Sequence, residues 1–252
     1  MMSWVIASRE FRSLFLSPLA WAILAVIQII LAWMFLAQLD VYRMLQPRIA
    51  GMPEAPGTTD LVVVPLFGNA GIILLLVTPL LTMRLISEER RNKTLSLLFS
   101  APVSMTEIVI GKYLGILGFL LVTVTMILLM PLSLLWGGGL DLGKMLAGLI
   151  ALILLLGGFA ALGLYMSALA AQPTVAAVTT FGALLLLWIL DWSTNSGDKA
   201  GGGVLEYLSI LKHYEGLLKG LVSTTDLLYF VLFISTFLIL TIHRLDSDRL
   251  QK

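Results

Sequence analysis

Residues 145–190 read MLAGLIALILLLGGFAALGLYMSALAAQPTVAAVTTFGALLLLWIL. No Asp, Glu, Lys or Arg interrupts these 46 positions. A bilayer core about 30 Å thick takes roughly 20 residues of helix. The stretch is therefore too long for one crossing and right for two. Gln172-Pro173 lies near its middle, and a proline with the residue before it favours a break. Two spans are expected, over 145–171 and 174–190.

The same criterion, carried outward, finds uncharged runs at 18–39, 61–83, 113–140 and 227–242. The last lies between Asp226 and the His243-Arg244 pair. Runs such as Ile72-Ile73-Leu74-Leu75-Leu76-Val77 do not alternate apolar and polar residues, as a membrane barrel strand would. The spans are helices, which satisfy their own backbone hydrogen bonds in lipid. The expected fold is an all-α membrane protein, a single transmembrane domain of six helices over residues 1–252.

Composition agrees. Of 252 residues, 59% are hydrophobic and 12% charged, against roughly 45–50% and about 25% in soluble chains. Mean hydropathy is +0.98. This excludes a nucleic-acid-binding domain, a disordered regulator and most soluble enzymes. With no cysteine there is no thiolate metal site and no cysteine nucleophile. Net charge is +1, so bulk electrostatics select no partner. No basic region followed by a short apolar core opens the chain, so no cleavable leader is expected. No internal repeat is visible, and an inverted-repeat transporter gains no support.

With six spans the two termini share a side. That side carries ten Lys and Arg: Arg9, Arg12, Arg84, Arg90, Arg91, Lys93, Lys112, Arg244, Arg249 and Lys252. The other side carries six. The excess places both termini in the cytoplasm.

Three segments outside the spans are informative. Over 3–17, Trp4, Ala7, Phe11, Leu14 and Phe15 recur at helical spacing with Arg9 and Arg12 off that stripe. This suits an amphipathic helix in the membrane interface, ended near Pro18. The loop 84–112 should hold two short helices joined near Ala101-Pro102, the second opened by a capping box of Ser104 and Glu107. A loop of this size is either a docking surface or a charge cluster that only orients the protein. The outer loop 191–226 has a glycine-rich first part. Its second part, 205–221, is an amphipathic helix expected at the outer membrane surface. Glycines at 68, 71, 115, 118, 157, 158 and 163 permit close helix packing.

Much chemistry is absent. The six spans contain no ionisable side chain of the kind that binds protons or ions in pumps. No serine lies in a nucleophile elbow and no histidine lies mid-span. His213 and His243 stand outside the spans, each read as an interface residue rather than a ligand. No phosphate loop of the form G-x-x-x-x-G-K-[ST] occurs, so the chain does not hydrolyse ATP by itself. A bundle without an internal energy source but with a structured loop suits a pathway driven by a separate motor.

The loop carries a resemblance. Glu88-Glu89-Arg90-Arg91-Asn92-Lys93-Thr94-Leu95-Ser96-Leu97-Leu98, followed by Ala101-Pro102-Val103-Ser104 and Gly111-Lys112, resembles permeases of the type-2 ABC transporter class. That class shows E-x-x-x-x-T-L, then L-x-x-x-P-[VI]-S, then a lysine opening the third span. His213-Tyr214-Glu215-Gly216-Leu217-Leu218-Lys219-Gly220 and the segments after it are similar to the gliding-motility branch (GldF-like), although Lys219 stands where an arginine is common.

The resemblance implies a type V exporter-like fold in a bacterial inner membrane. Two permease copies would pair, each bound to a cytoplasmic ABC ATPase subunit that carries ATP and Mg. This chain would hold no cofactor, metal or catalytic residue. The coupling interface would comprise Glu88, Glu89, Arg90, Arg91, Lys93, Thr94, Leu95, Leu98, Phe99, Pro102 and Val103, with its helix around 94–99. Gln172 and Pro173, with Arg9 and Arg12, would form a smaller second ATPase contact. Spans two and five would line the pathway, which nominates Asn69, Thr78, Thr179, Thr180 and Phe181. An auxiliary subunit with an extracytoplasmic domain would meet the 205–221 segment. The four charges at 88–91 are expected at the rim of the interface, each worth about 0–1 kcal/mol. The alternative is an ATPase-regulated channel or scaffold without net transport; a membrane enzyme lacks the convergent polar residues it would need.

Overall fold

The computed structural model describes residues 2–49, 56–94, 103–137, 139–194 and 209–250. In chain order its helices are α1 (Met2–Leu16), α2 (Pro18–Ile49), α3 (Val64–Thr82), α4 (Ser87–Arg91), α5 (Met105–Leu132), α6 (Leu142–Leu169), α7 (Pro173–Thr194), α8 (Ile210–Leu218) and α9 (Thr224–Leu250). A π-helical turn, Thr59–Val63, leads into α3, and a 3-10 turn, Ser133–Gly137, follows α5. Among the described residues there are no strands. Six helices are long and apolar enough to cross a membrane: α2, α3 with its leading turn, α5, α6, α7 and α9.

The sixth-to-seventh helix break falls between Leu169 and Pro173, as the Gln172-Pro173 signal requires. Proline at N1 costs nothing there, because its missing N–H would have no intrahelical partner. The capping box also forms: Ser104 Oγ accepts from the Glu107 N–H at 3.2 Å, and Glu107 Oε2 accepts from the Ser104 N–H at 3.3 Å. It starts α5 at Met105, so the second helix expected in the loop is the opening of the third span.

α6 is the axis of the bundle. Ala151, Leu152, Leu155, Phe159, Ala160, Ala161 and Leu164 are fully buried along it. α3, α5, α7, α8 and α9 all pack against it. Its small residues let these neighbours approach. A Cβ on Gly163 would fall 2.3 Å from Thr82 Oγ1, so only glycine lets α3 and α6 meet there. α2 is peripheral, with Trp21, Ile29, Trp33 and Leu36 exposed toward the apolar surroundings of a span.

Two segments differ from expectation. α8 is tucked into the bundle rather than laid on its surface. Its Ile210, His213, Tyr214, Leu217 and Leu218 are buried, and the Tyr214 hydroxyl donates to the Phe67 carbonyl of α3 at 2.7 Å. Burial raises the Tyr214 pKa, which keeps that hydroxyl a donor. His213 does not stand alone: its Nδ1 lies 2.6 Å from Asp226 Oδ1 and its ring stacks on Tyr229. α1 packs lengthwise on the first turns of α5. Ala7 is buried there, whereas Trp4, expected on the packed stripe, is 73% exposed.

Candidate functional site

The end of the bundle that carries both termini holds a network tying α4 to four other helices. It begins with glycine. A Cβ on Gly111 would lie 2.7 Å from Ile6 Cβ, and one on Gly115 would lie 2.6 Å from Glu10 Cβ. The bare α5 backbone at these two positions lets α1 settle directly onto it. Glu10 is thereby brought over Lys112, whose Nζ donates to Glu10 Oε1 and to Glu89 Oε1, each at 2.8 Å. The lysine side chain is only 3% exposed, and the carboxylates are 15% and 21% exposed. One ammonium thus joins α1, α4 and α5. A buried cation held between two carboxylates offsets its desolvation cost only through such close pairing.

The other side of α4 is held by α6. Helix α4 has no side-chain cap of its own at Ile86. Ser167 Oγ supplies the acceptor instead, taking the Ile86 and Ser87 N–H groups at 3.1 Å each and donating to the Met83 carbonyl at 3.0 Å. Arg90 Nη2 donates to the Ala168 carbonyl at 2.8 Å and pairs with Asp248 of α9. Arg244, one turn earlier on α9, faces the same carboxylate at 3.5 Å. The Ala168 contact also links α4 to the chain just before the 170–173 turn.

α4 then ends in a Schellman motif. The Lys93 N–H bonds to Arg90 O at 3.2 Å and the Thr94 N–H to Glu89 O at 3.0 Å. Lys93 takes the left-handed conformation, φ 57°, at the position where glycine is usual. This fixes the direction in which the chain leaves toward residue 95. A cavity of about 340 Å³ opens beside the network, with Glu10, Arg84, Glu88, Glu89 and Asn92 on its walls.

Of the expected coupling residues, Glu88, Arg91, Lys93 and Thr94 are exposed and Val103 is half-buried against the core. Leu95, Leu98, Phe99 and Pro102 lie outside the described residues. Glu89 and Arg90 are not rim charges: each is committed inward, to Lys112 and to Asp248. Gln172 is exposed and Pro173 buried at the turn beside Arg90's contact. Arg9 and Arg12 lie on the exposed face of α1.

The pathway candidates do not share one surface. Thr78 and Thr180 are fully buried, and their hydroxyls donate to the Leu74 and Ala176 carbonyls of their own helices, at 2.6 Å each. Thr179 is exposed, and Asn69 and Phe181 are half-buried. Asn69 lines a groove of about 360 Å³ at the far end of the bundle, together with Trp188 and Tyr214.

Glu10, Ser167 and Asp248 were not legible as network members. Glu10 offered one signal. It is the sole acid on α1 and sits at helical spacing from Ile6, Ala7 and Leu14, a charge on the packed stripe that needs a buried partner.

The fold and this network define a multi-pass, all-helical membrane protein whose α4 is strapped to three of its spans. The family model described as ABC-2 family transporter protein matches residues 4–248. The chain belongs to that family. It is a permease subunit of an ABC transporter, a non-catalytic transport component, and the family implies an ABC ATPase partner and a lipid bilayer. Comparison with curated proteins returns no match.

Proposed function

We propose that this chain forms the pathway of an ATP-driven exporter of the gliding-motility type. It works in a bacterial inner membrane, with both termini cytoplasmic. A separate ATPase, holding ATP and Mg, docks on the loop between α3 and α5. The helix around 94–99 is the coupling helix, and Gln172 and Pro173 form a smaller second contact. Two copies pair, and an auxiliary subunit meets the far-end segment that contains α8. Asn69, Thr179 and Phe181 are the better pathway candidates, because Thr78 and Thr180 are fully buried within the bundle.

The observation that carries this reading is the Glu10–Lys112–Glu89 cluster. Together with Arg90 and Ser167 it makes α4 one body with α1, α5, α6 and α9. A displacement that reaches α4 is then passed to three spans, α5, α6 and α9. The apolar Leu95, Leu98 and Phe99 supply the docking energy, since buried apolar anchors outweigh rim charges at interfaces.

Affinity purification of the tagged full chain in mild detergent, with mass spectrometry and an ATPase assay, tests the proposal. A stoichiometric nucleotide-binding subunit is expected, retained by Arg91→Ala and lost in Leu98→Asp. Equal defects in the two variants would overturn the assignment of the docking surface. Absence of any ATPase subunit from a folded chain would remove the motor-driven reading altogether.

A further inference from the structure

α1 presents a second face that packs against nothing among the described residues. Trp4, Val5 and Leu16 are 73%, 60% and 77% exposed on it, and Ser8, Arg9 and Arg12 are exposed between them. Among the described residues neither arginine has an ion-pair or hydrogen-bond partner. Glu10, the acid next to Arg9, is spent on Lys112. The face is therefore apolar at both ends and carries two positive charges in the middle, uncompensated among the described residues.

The depth of these charges follows from the same contact. Lys112 is the last charged residue of α5, and 113–140 is uncharged. From residue 113 to the end of α5 at Leu132 there are about 20 residues, or about 30 Å of helix, which is the hydrocarbon thickness. Lys112 thus stands at the boundary of the apolar zone, and Glu10 stands beside it. Ile6 sits against Gly111 and Glu10 against Gly115, so Arg9 and Arg12 leave α1 within about two helical turns inside this boundary, and their long side chains, directed toward the helix N-terminus, snorkel back to the headgroup layer. Leu16 lies further along α1, toward the hydrocarbon. The helix cannot swing away from this level. Its glycine-mediated seat on α5 holds one side, and Trp21 Nε1 donates to the Phe15 carbonyl across the α1–α2 elbow at 2.8 Å.

Direction discriminates between partners. At 100° per residue, Arg9 points about 100° and Arg12 about 160° away from Glu10 around the helix. Glu10 faces the loop through Lys112 and Glu89. The arginines consequently look away from Glu89 and α4, the described part of the loop. Residues three apart on a helix are neighbours, so both guanidinium groups reach one phosphate. Arginine suits a phosphate through its planar fork of donors.

We infer that Arg9 and Arg12 form a binding site for the phosphate headgroup of an anionic phospholipid, with Trp4 and Leu16 seated in the adjoining lipid. This replaces the ATPase contact that the resemblance assigns to the two arginines. It needs only the membrane location of the chain, so it stands or falls apart from the proposed docking on the loop.

Native mass spectrometry of the full chain in detergent, titrated with phosphatidylglycerol or with phosphatidylcholine, tests the site. The wild-type chain should retain phosphatidylglycerol preferentially. Affinity for that lipid should fall about fivefold for each arginine removed in Arg9→Gln/Arg12→Gln. Arg9→Lys/Arg12→Lys should keep most of the preference, which separates lost charge from a misfolded helix. Arg43→Gln, which removes an exposed arginine near the opposite end, should leave it unchanged. Unaltered phosphatidylglycerol binding in the Arg9→Gln/Arg12→Gln chain would overturn the inference, as would an equal loss in Arg43→Gln. If ATPase copurification were lost while lipid binding persisted, the arginines would belong to the protein partner instead.

Discussion

Replacing Lys112 with methionine keeps the length and apolar stem of the side chain and removes its charge. In the native chain one Nζ holds Glu10 Oε1 and Glu89 Oε1 at 2.8 Å each, so those oxygens are no more than about 5.6 Å apart. With the cation gone, the two carboxylates face each other across that gap. At an effective dielectric constant near 20, their repulsion is about 3 kcal/mol. Breaking a buried pair by removing one partner costs about 3–5 kcal/mol. The carboxylates are 15% and 21% exposed, so water reaches them and the lower end of that range applies. Lys112→Met should therefore destabilise the chain by about 3 kcal/mol, a change of more than a hundredfold in the unfolding equilibrium. Denaturing-detergent titration of the full chain in mixed micelles, followed by far-ultraviolet circular dichroism, measures this. Adding Glu10→Gln and Glu89→Gln to Lys112→Met should restore more than half of the loss, because neutral amides do not repel. If the triple variant is no more stable than Lys112→Met alone, charge repulsion is not what the lysine relieves, and the reasoning fails.

Gly115→Leu should unseat α1, since even a Cβ there would fall 2.6 Å from Glu10 Cβ. Overpacking of this kind costs about 1–3 kcal/mol, and trypsin cleavage at Arg9 and Arg12 should quicken accordingly. Gly68→Ala, where nothing lies within 4 Å, is the neutral control, and equal cleavage rates in the two variants would refute the seat. Ser167→Ala leaves the Ile86 and Ser87 N–H groups without their acceptor, at about 1–3 kcal/mol. Hydrogen exchange at those two amides should accelerate while α7 amides are unchanged; uniform acceleration would mean that the bundle, rather than the α4 cap, had loosened.

The spans were legible because the bilayer imposes a coarse rule that charge alone reveals. The break at Pro173 and the start at Ser104 were legible because each rests on local stereochemistry. The network at the terminal end was not, because its members meet from distant parts of the chain. Glu10 and Lys112 are 102 positions apart, and Arg90 and Asp248 are 158. The family resemblance singled out Glu89 and Arg90 but not which way they point. The amphipathic pattern of α8 likewise announced a buried face without telling whether lipid or protein covers it; Phe67 and the α6 surface do. Polar residues in spans were equally ambiguous. Thr78 and Thr180 look like pathway groups by composition, yet both are fully buried and present no surface to a substrate.

The seat of α1 on α5 also sets an order of events during synthesis. α1 is complete long before its partner exists. At about 5–20 residues per second, the hundred or so residues between them take about 5–20 s to appear. Throughout that interval Ile6, Ala7, Phe11 and Phe15 have no glycine track to cover them, and Glu10 has no cation. The nascent helix must wait at the membrane surface, and Arg9 and Arg12 would hold it there until the third span arrives to claim its other face.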